Sequence, residues 1–300
     1  LPLYVFHGKG ELGQMNRNSE PLILDGSQVA EHMKAALKER VEQLNRRGVA
    51  PCLATVLVGD NPASETYVRM KGNACRKLGI ESIRIDLPQQ TTTDELIAAI
   101  RGLNEDPDVH GILLQHPVPN HINERAAFEA IRIDKDVDGV TILGFAQNAF
   151  GVAAFPSCTP AAVLAILDYY KVPIEGKHAV VIGRSPILGK PVSVMLLNRH
   201  ATVTICHSRT RELADTVRMG DIVVAAVGKP RFVQGDWIKR GAVVIDAGYN
   251  EGNVGDADYD ACRSRASAIT PVPAGVGPVT IATLLKHTVD AAEKMIGSPV

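Results

Sequence analysis

Residues 179–191 read AVVIGRSPILGKP, and this order of apolar strand, glycine turn and helix start decides the fold class. Ala179–Gly183 is a short continuous apolar run, the pattern of a strand buried on both faces. Gly183 and Gly189 bracket a turn, and Val192–Leu197 continues with helical character. Such a turn is where α/β folds bind phosphate, because backbone N–H groups and the helix dipole converge there. The spacing is G-x-S-x-x-x-G and not G-x-G-x-x-G. Plain α/β folds also turn on glycine, so the motif alone leaves cofactor binding open. The next strand narrows the choice. Ala201–Cys206 ends in His207-Ser208-Arg209-Thr210, without the carboxylate that holds the ribose hydroxyls of NAD. A hydroxyl and a guanidinium there suit an extra phosphate, and Arg184 in the turn can reach the same group, which favours NADP over a merely polar loop.

Outward from this unit, Asp221–Gly228 (DIVVAAVG) and Ala242–Gly248 (AVVIDAG) complete four buried strands separated by helical or turn segments. The first half repeats the architecture with a different sequence. Val29, Met33, Ala36, Leu37, Val41 and Leu44 recur at helical spacing and end at Gly48; Cys52–Val58 (CLATVLV) follows as an apolar run. Ser82–Leu87 (SIRIDL) alternates as a strand, Thr93–Leu103 is helical, and His110–Gln115 (HGILLQ) is another buried strand. Strands alternating with helices predict parallel sheets with crossover helices. Asp138–Pro160, rich in Gly, Ala and Pro, reads as the junction, Thr159-Pro160 opens a helix to Tyr169-Tyr170, and Val279–Ile296 reads as a final amphipathic helix. No period of 20–50 residues marks a solenoid.

Three hundred residues suit two domains. With 45% apolar and 22% charged residues and a net charge of −1, nothing in bulk electrostatics points to nucleic acid. An aromatic content of 4% also argues against a base-stacking surface. No apolar run reaches the ~18–20 residues that cross a bilayer. Cys52, Cys75, Cys158, Cys206 and Cys262 are scattered, without C-x-x-C, as expected of reduced thiols inside a cell. The histidines show no H-E-x-x-H or zinc-finger spacing, so no metal is expected. Residues 1–20 carry Gly8, Gly10 and Gly13 without helical period and read as a leader or an appended remnant.

The chemistry-bearing helix is Ser64–Lys71 (SETYVRMK), opened by Asn61-Pro62, a favoured N-cap followed by a first-turn proline. Tyr67 and Lys71 lie four residues apart, so phenol and amine share one face, and a partly buried lysine changes its proton affinity readily. Taken alone, the pair also fits a solvated helix face.

Six ordered blocks carry a close resemblance to the methylenetetrahydrofolate dehydrogenase/cyclohydrolase family. They are SETYVRMK, GILLQHPVP (Gly111–Pro119), DKDVDG (Asp134–Gly139), SCTP (Ser157–Pro160), GRSPILGKP (Gly183–Pro191) and TPVPAGVGPVT (Thr270–Thr280). The resemblance spans about Pro21 to Ile296. It implies an α/β enzyme of two domains, each a mainly parallel sheet flanked by helices, with a cleft between them. The first, folate-binding domain would cover 21–156, with helix 279–297 packing back on it. The second, a Rossmann-type NADP domain, would cover 157–278. The implied activities are oxidation of 5,10-methylenetetrahydrofolate by NADP and hydrolysis of the methenyl product to 10-formyltetrahydrofolate, in one-carbon metabolism and purine biosynthesis.

By the same resemblance, Lys71 is the central catalytic group, Tyr67 lies along the folate, Gln115 holds the lysine and Asp138 binds the pterin. Leu114, His116 and the loop residues Pro273, Ala274, Gly275, Val276 and Gly277 line the substrate. Gly183, Arg184, Ser185, Ser208, Gly248 and Tyr249 hold NADP. A homodimer in the cytoplasm is implied, with a mitochondrial location as the alternative. Chemistry agrees on Asp138, because a carboxylate accepts two adjacent pterin donors, although DKDVDG alone also reads as a turn. His116 stands where the family usually has Leu, Gly72-Asn73 replaces a second basic residue, Ala274 replaces Gly, and Gly144 and Ala146 replace Asn and Gly. The competing readings are a dehydrogenase with weak hydrolysis, a non-catalytic NADP- or folate-binding module, and a small-acid dehydrogenase laid out like shikimate dehydrogenases.

Overall fold

The computed structural model describes residues 20–297; apart from Glu20, the expected leader lies outside them. In chain order the elements of the first half are β1 (Leu22–Ile23), α1 (Gly26–Arg46), β2 (Cys52–Val58), α2 (Pro62–Leu78), β3 (Glu81–Leu87), α3 (Thr93–Glu105), β4 (Gly111–Leu114), α4 (Glu124–Glu129) and α5 (Ile142–Ala149). The second half contains α6 (Cys158–Tyr169), β5 (His178–Ile182), α7 (Gly189–Asn198), β6 (Thr202–Cys206), α8 (Leu213–Arg218), β7 (Ile222–Ala225), β8 (Val243–Asp246), α9 (Tyr259–Arg263), β9 (Ala268–Ile269) and α10 (Val276–Gly297).

Among the described residues these form two all-parallel sheets, ordered β3-β2-β4 and β1-β9-β8-β7-β5-β6. The unbroken apolar runs follow from both faces of each sheet being covered. Along β2, Leu53 joins the core beneath α1 and α10, whereas Cys52, Ala54, Val56 and Val58 join the core on the opposite face. Along β5, Ala179 and Val181 feed one core and Val180 and Ile182 the other. The edge strands β3 and β6 are exceptions: β6, expected as a buried strand, lies at the edge of its sheet and leaves Thr202 and Ile205 exposed. β3 alternates exposed and half-buried residues, which is why SIRIDL alternates in sequence.

Three differences from the sequence reading matter. β1, expected with the first domain, pairs instead with β9 of the larger sheet, Leu22 N donating to the Ser267 carbonyl and Leu24 N to that of Ile269, both at 2.9 Å. Two-residue strands carry no readable period, and Leu24 is buried in the core of the larger sheet. The expected junction also contains α5, whose start is capped by Thr141 Oγ1 accepting from Gly144 N at 3.1 Å. α10 begins three residues earlier than expected, at Val276, and packs along both α1 and α6. Arg40 of α1 grips it with a fork to Glu293 (2.9 and 2.6 Å) and a contact to Asp290 (2.6 Å).

Candidate active site

The helix α2 begins as its sequence predicts, with Asn61 Oδ1 accepting from Ser64 N at 3.1 Å. One turn beyond Tyr67, Lys71 Nζ donates to Gln115 Oε1 at 3.0 Å. Gln115 follows β4 directly. Its own N–H donates to the Val56 carbonyl (2.8 Å), and its Nε2 donates to the His116 carbonyl (2.7 Å). That second bond settles the amide orientation and leaves the oxygen for the lysine. Burial lowers the Lys71 pKa, with the Asp138 carboxylate opposing the shift. The amine is thus drawn toward its neutral form beside a polar group that carries no charge.

The DKDVDG turn assigns its charged residues to different tasks. Asp134 pairs with Arg132 at the surface (2.6 Å). Buried Lys135 donates to the Leu103 and Asp106 carbonyls, and buried Asp136 accepts from Val140 N, Thr141 N and the Thr141 hydroxyl. Asp138 stays half-buried, with its charge acting on the Lys71 amine. Its backbone is fastened to the SCTP segment, since Cys158 N donates to the Asp138 carbonyl (3.2 Å) and Ser157 Oγ to that of Gly139 (2.6 Å). Gly139 sits at φ +66, with a would-be Cβ 2.4 Å from Ser157 N, so only glycine allows this closure.

Cys158 is a neighbour of Asp138 and Lys71 that the sequence reading did not select. Burial, then the Asp138 charge, pushes its thiol well above the usual range. The Cys158 thiol and His287 Nδ1 both meet the Val137 carbonyl, at 3.2 and 2.8 Å. The only sequence signal was the cysteine at the start of a helix in SCTP.

The other expected substrate residues have partners of their own. Leu114 is 2% exposed and packs in the core with Val56 and Ile112, so its side chain fills the sheet face. The His116 ring is aimed at Glu124, with Nδ1 2.5 Å from Oε1. Val276 is core, and Gly277 lies in the first turn of α10. The loop between β9 and α10 contains a cis Val272-Pro273 bond and holds Ala274 at φ +76. Its Ala274 carbonyl accepts from Gly26 N at 2.8 Å, fixing the loop to the start of α1.

At the carboxyl end of β5, Gly183 adopts φ +134, and a Cβ there would stand 2.0 Å from the Ala226 carbonyl oxygen. Ser185 Oγ accepts from Leu188 N (3.1 Å) and Gly189 N (3.2 Å), closing the turn into α7. Among the described residues no group accepts from the N–H of Arg184, Ser185 or Ile187. Free donors at a helix start fit the diphosphate of a dinucleotide. The sheet order also places this turn at the point where β6 and β7 leave β5 on opposite sides, the usual ligand crevice. Arg184, Ser208 and Arg209 are exposed around it, and β6 ends without a carboxylate. Tyr249, expected at the cofactor, reaches across to Tyr67, the ring centroids 5.9 Å apart.

Two family models match the chain: the catalytic domain of tetrahydrofolate dehydrogenase/cyclohydrolase over residues 24–138, and its NAD(P)-binding domain over 157–296. The bifunctional protein FolD of Shouchella clausii is 71% identical over 278 residues, covering 93% of this chain and all of the relative. The crystal structure of the Campylobacter jejuni bifunctional methylenetetrahydrofolate dehydrogenase/cyclohydrolase is 42% identical with a TM-score of 0.89, covering 91% of this chain and 98% of that one. The Trypanosoma brucei enzyme, solved with NADP and an inhibitor, is 39% identical with a TM-score of 0.90, covering 94% and 100%.

Proposed function

The chain belongs to the tetrahydrofolate dehydrogenase/cyclohydrolase family, and we propose that it oxidises 5,10-methylenetetrahydrofolate to the methenyl form and hydrolyses that cation to 10-formyltetrahydrofolate. The carrying observation is Lys71, its pKa lowered by burial and its amine held 3.0 Å from Gln115. NADP supplies the hydride acceptor for the first reaction. Asp138 accepts the pterin donors and Tyr67 lies along the folate, so the methylene carbon is held for hydride loss. In the second reaction water adds to the methenyl carbon and its proton passes to neutral Lys71. The bond from that carbon to N5 then breaks, N5 taking a proton, so one water is consumed and one proton released.

Arg184, Ser185 and Ser208 hold the dinucleotide phosphates, with Gly183 and Gly248 giving backbone room. Residues 21–156, apart from the β1 segment that joins the larger sheet, serve as the folate domain and 157–278 as the NADP domain. The protein works as a cytoplasmic homodimer feeding purine biosynthesis, and the unpaired edge of β3 offers a strand for self-pairing. The intact Lys71–Gln115 contact supports hydrolysis as well as oxidation, against a dehydrogenase alone. Mixing the protein with NADP and methylenetetrahydrofolate, and following NADPH and methenyl absorbance separately, tests both activities. NADPH formation with lasting methenyl accumulation would remove the hydrolytic half.

A further inference from the structure

Asp256 is fully buried, and its carboxylate collects four donors. Oδ2 accepts from Val227 N (2.6 Å) and Gly228 N (2.8 Å); Oδ1 accepts from Lys229 N (2.9 Å) and Asn250 Nδ2 (3.0 Å). Three consecutive backbone N–H groups converging on one anion make a nest, here filled by the protein's own side chain. A second buried carboxylate holds Asp256 in turn. Asp246, the last residue of β8, accepts from Asp256 N (3.0 Å) and Gly248 N (2.9 Å) through Oδ1 and from Ala257 N (2.8 Å) through Oδ2.

These bonds tie together two loops that leave neighbouring strands at their carboxyl ends. One follows β7 and lies against the glycine turn, since Ala226 N donates to the Ile182 carbonyl (2.8 Å) and Ala226 O blocks any side chain at Gly183. The other follows β8 and carries Gly248, where a Cβ would stand 2.1 Å from Asp256 Cγ, and then Tyr249 and Asn250. Neither carboxylate points at Lys71 or Gln115 through any of these bonds. The knot belongs to the dinucleotide end of the cleft.

We propose that Asp256 is a positioning residue for NADP, holding the loops after β7 and β8 in the arrangement that receives the dinucleotide. The inference rests on placing the dinucleotide at the carboxyl ends of β5 and β7. Because the donors at 227–229 are already engaged, diphosphate binding is left to the turn at Arg184, Ser185 and Ile187. Asp256→Asn keeps the size but replaces one accepting oxygen by a donor that faces N–H groups. It disturbs the loops while leaving the bonds that hold Lys71, Gln115 and Asp138 in place, since none of these runs through the knot.

The test is calorimetric titration of NADP into the unmodified protein, Asp256→Asn, Asn250→Ala and Arg184→Ala, with hydrolysis of methenyltetrahydrofolate measured in parallel without NADP. The expected result is a 10- to 100-fold weaker NADP Kd for Asp256→Asn, a smaller loss for Asn250→Ala, and hydrolysis within about threefold for both. Equal loss of binding and hydrolysis in Asp256→Asn would make the knot a general stabiliser, and the milder Asn250→Ala decides the case if Asp256→Asn does not fold. Normal NADP binding in Asp256→Asn beside weakened binding in Arg184→Ala would overturn the positioning role alone. Normal binding in both would overturn the dinucleotide placement as well.

Discussion

Tyr67 on α2 and Tyr249 beyond β8 meet edge to face, 5.9 Å between ring centroids at an interplanar angle of 76°, although their elements belong to different sheets. Two aromatic rings therefore join the halves of the molecule one helical turn from Lys71. Burial, with Tyr249 adding to it, pushes the Tyr67 phenol up to about 12, so at neutral pH it is an O–H donor and not a phenolate. An edge-to-face pair is worth ~0.5–1.5 kcal/mol beyond its burial. A double-mutant cycle with Tyr67→Leu and Tyr249→Leu, read by denaturant unfolding, is expected to give a coupling of that size. A coupling of zero would mean that the rings do not meet in solution.

Cofactor choice follows from the bare end of β6. A charge-assisted hydrogen bond is worth ~1.5–3 kcal/mol, so Arg184→Ala should cost about ten- to a hundredfold in kcat/KM for NADP. The loss with NAD, which lacks the extra phosphate, should be much smaller. Equal losses with both cofactors would place Arg184 away from that phosphate.

The long elements were legible in the sequence because each advertises a period or a cap. Asn61-Pro62 marks the start of α2, and CLATVLV reads as a strand covered on both faces. β1 and β9 were invisible, since two residues have no period and their pairing spans nearly the whole chain. The site was legible in part. Tyr67 and Lys71 share a helix face by local geometry, whereas the meeting of Lys71 with Gln115 depends on α2 packing against β2, the strand that pairs with β4. Cys158 escaped notice for the same reason: its neighbours Asp138 and His287 come from the preceding turn and from the last helix. Asp256 gave no signal at all, because a carboxylate in a loop reads as solvated until the backbone closes around it.

Ala274 occupies φ +76, a conformation that favours glycine. Left-handed backbone costs a residue with a Cβ ~1–2 kcal/mol, and the extra freedom of glycine in the unfolded chain returns ~0.4–1 of it. Ala274→Gly is therefore expected to stabilise the fold by ~0.5–1 kcal/mol, read as a raised denaturant midpoint with an unchanged slope. A lower midpoint would show that the methyl group earns its place by packing.

Two buried groups work against each other as pH falls. Burial lowers His287 to about 4 from 6.5, despite its bond to the Val137 carbonyl. Between those values the unfolded chain binds a proton that the fold refuses, so acidification costs up to ~3 kcal/mol over the window. Asp246 runs the other way. Burial raises it to about 6 from 3.8, so its contribution is full below 3.8 and is lost as pH rises through 6. His287→Gln should flatten the loss of stability from pH 6.5 to 4.5, and Asp246→Asn should steepen it, measured by unfolding at each pH. A stability difference between His287→Gln and the unmodified protein that does not change with pH would mean that His287 is not held neutral.

Lys71 separates the two reactions. Hydride transfer needs alignment of substrate and nicotinamide, whereas hydrolysis also needs a proton carrier beside a positioned water. Lys71 is the proposed carrier because of its place: one turn from Tyr67, 3.0 Å from Gln115, and shifted by burial toward the neutral amine. Lys71→Met keeps most of the volume and removes the amine, so hydrolysis of methenyltetrahydrofolate should fall by ~10²–10⁴. Oxidation should fall less, and the methenyl compound should accumulate during NADP reduction. Gln115→Leu should move both activities in the same order but by less, because it loosens the amine without removing it. Hydrolysis at the unmodified rate in Lys71→Met would make the lysine a bystander and assign the proton transfer to another group.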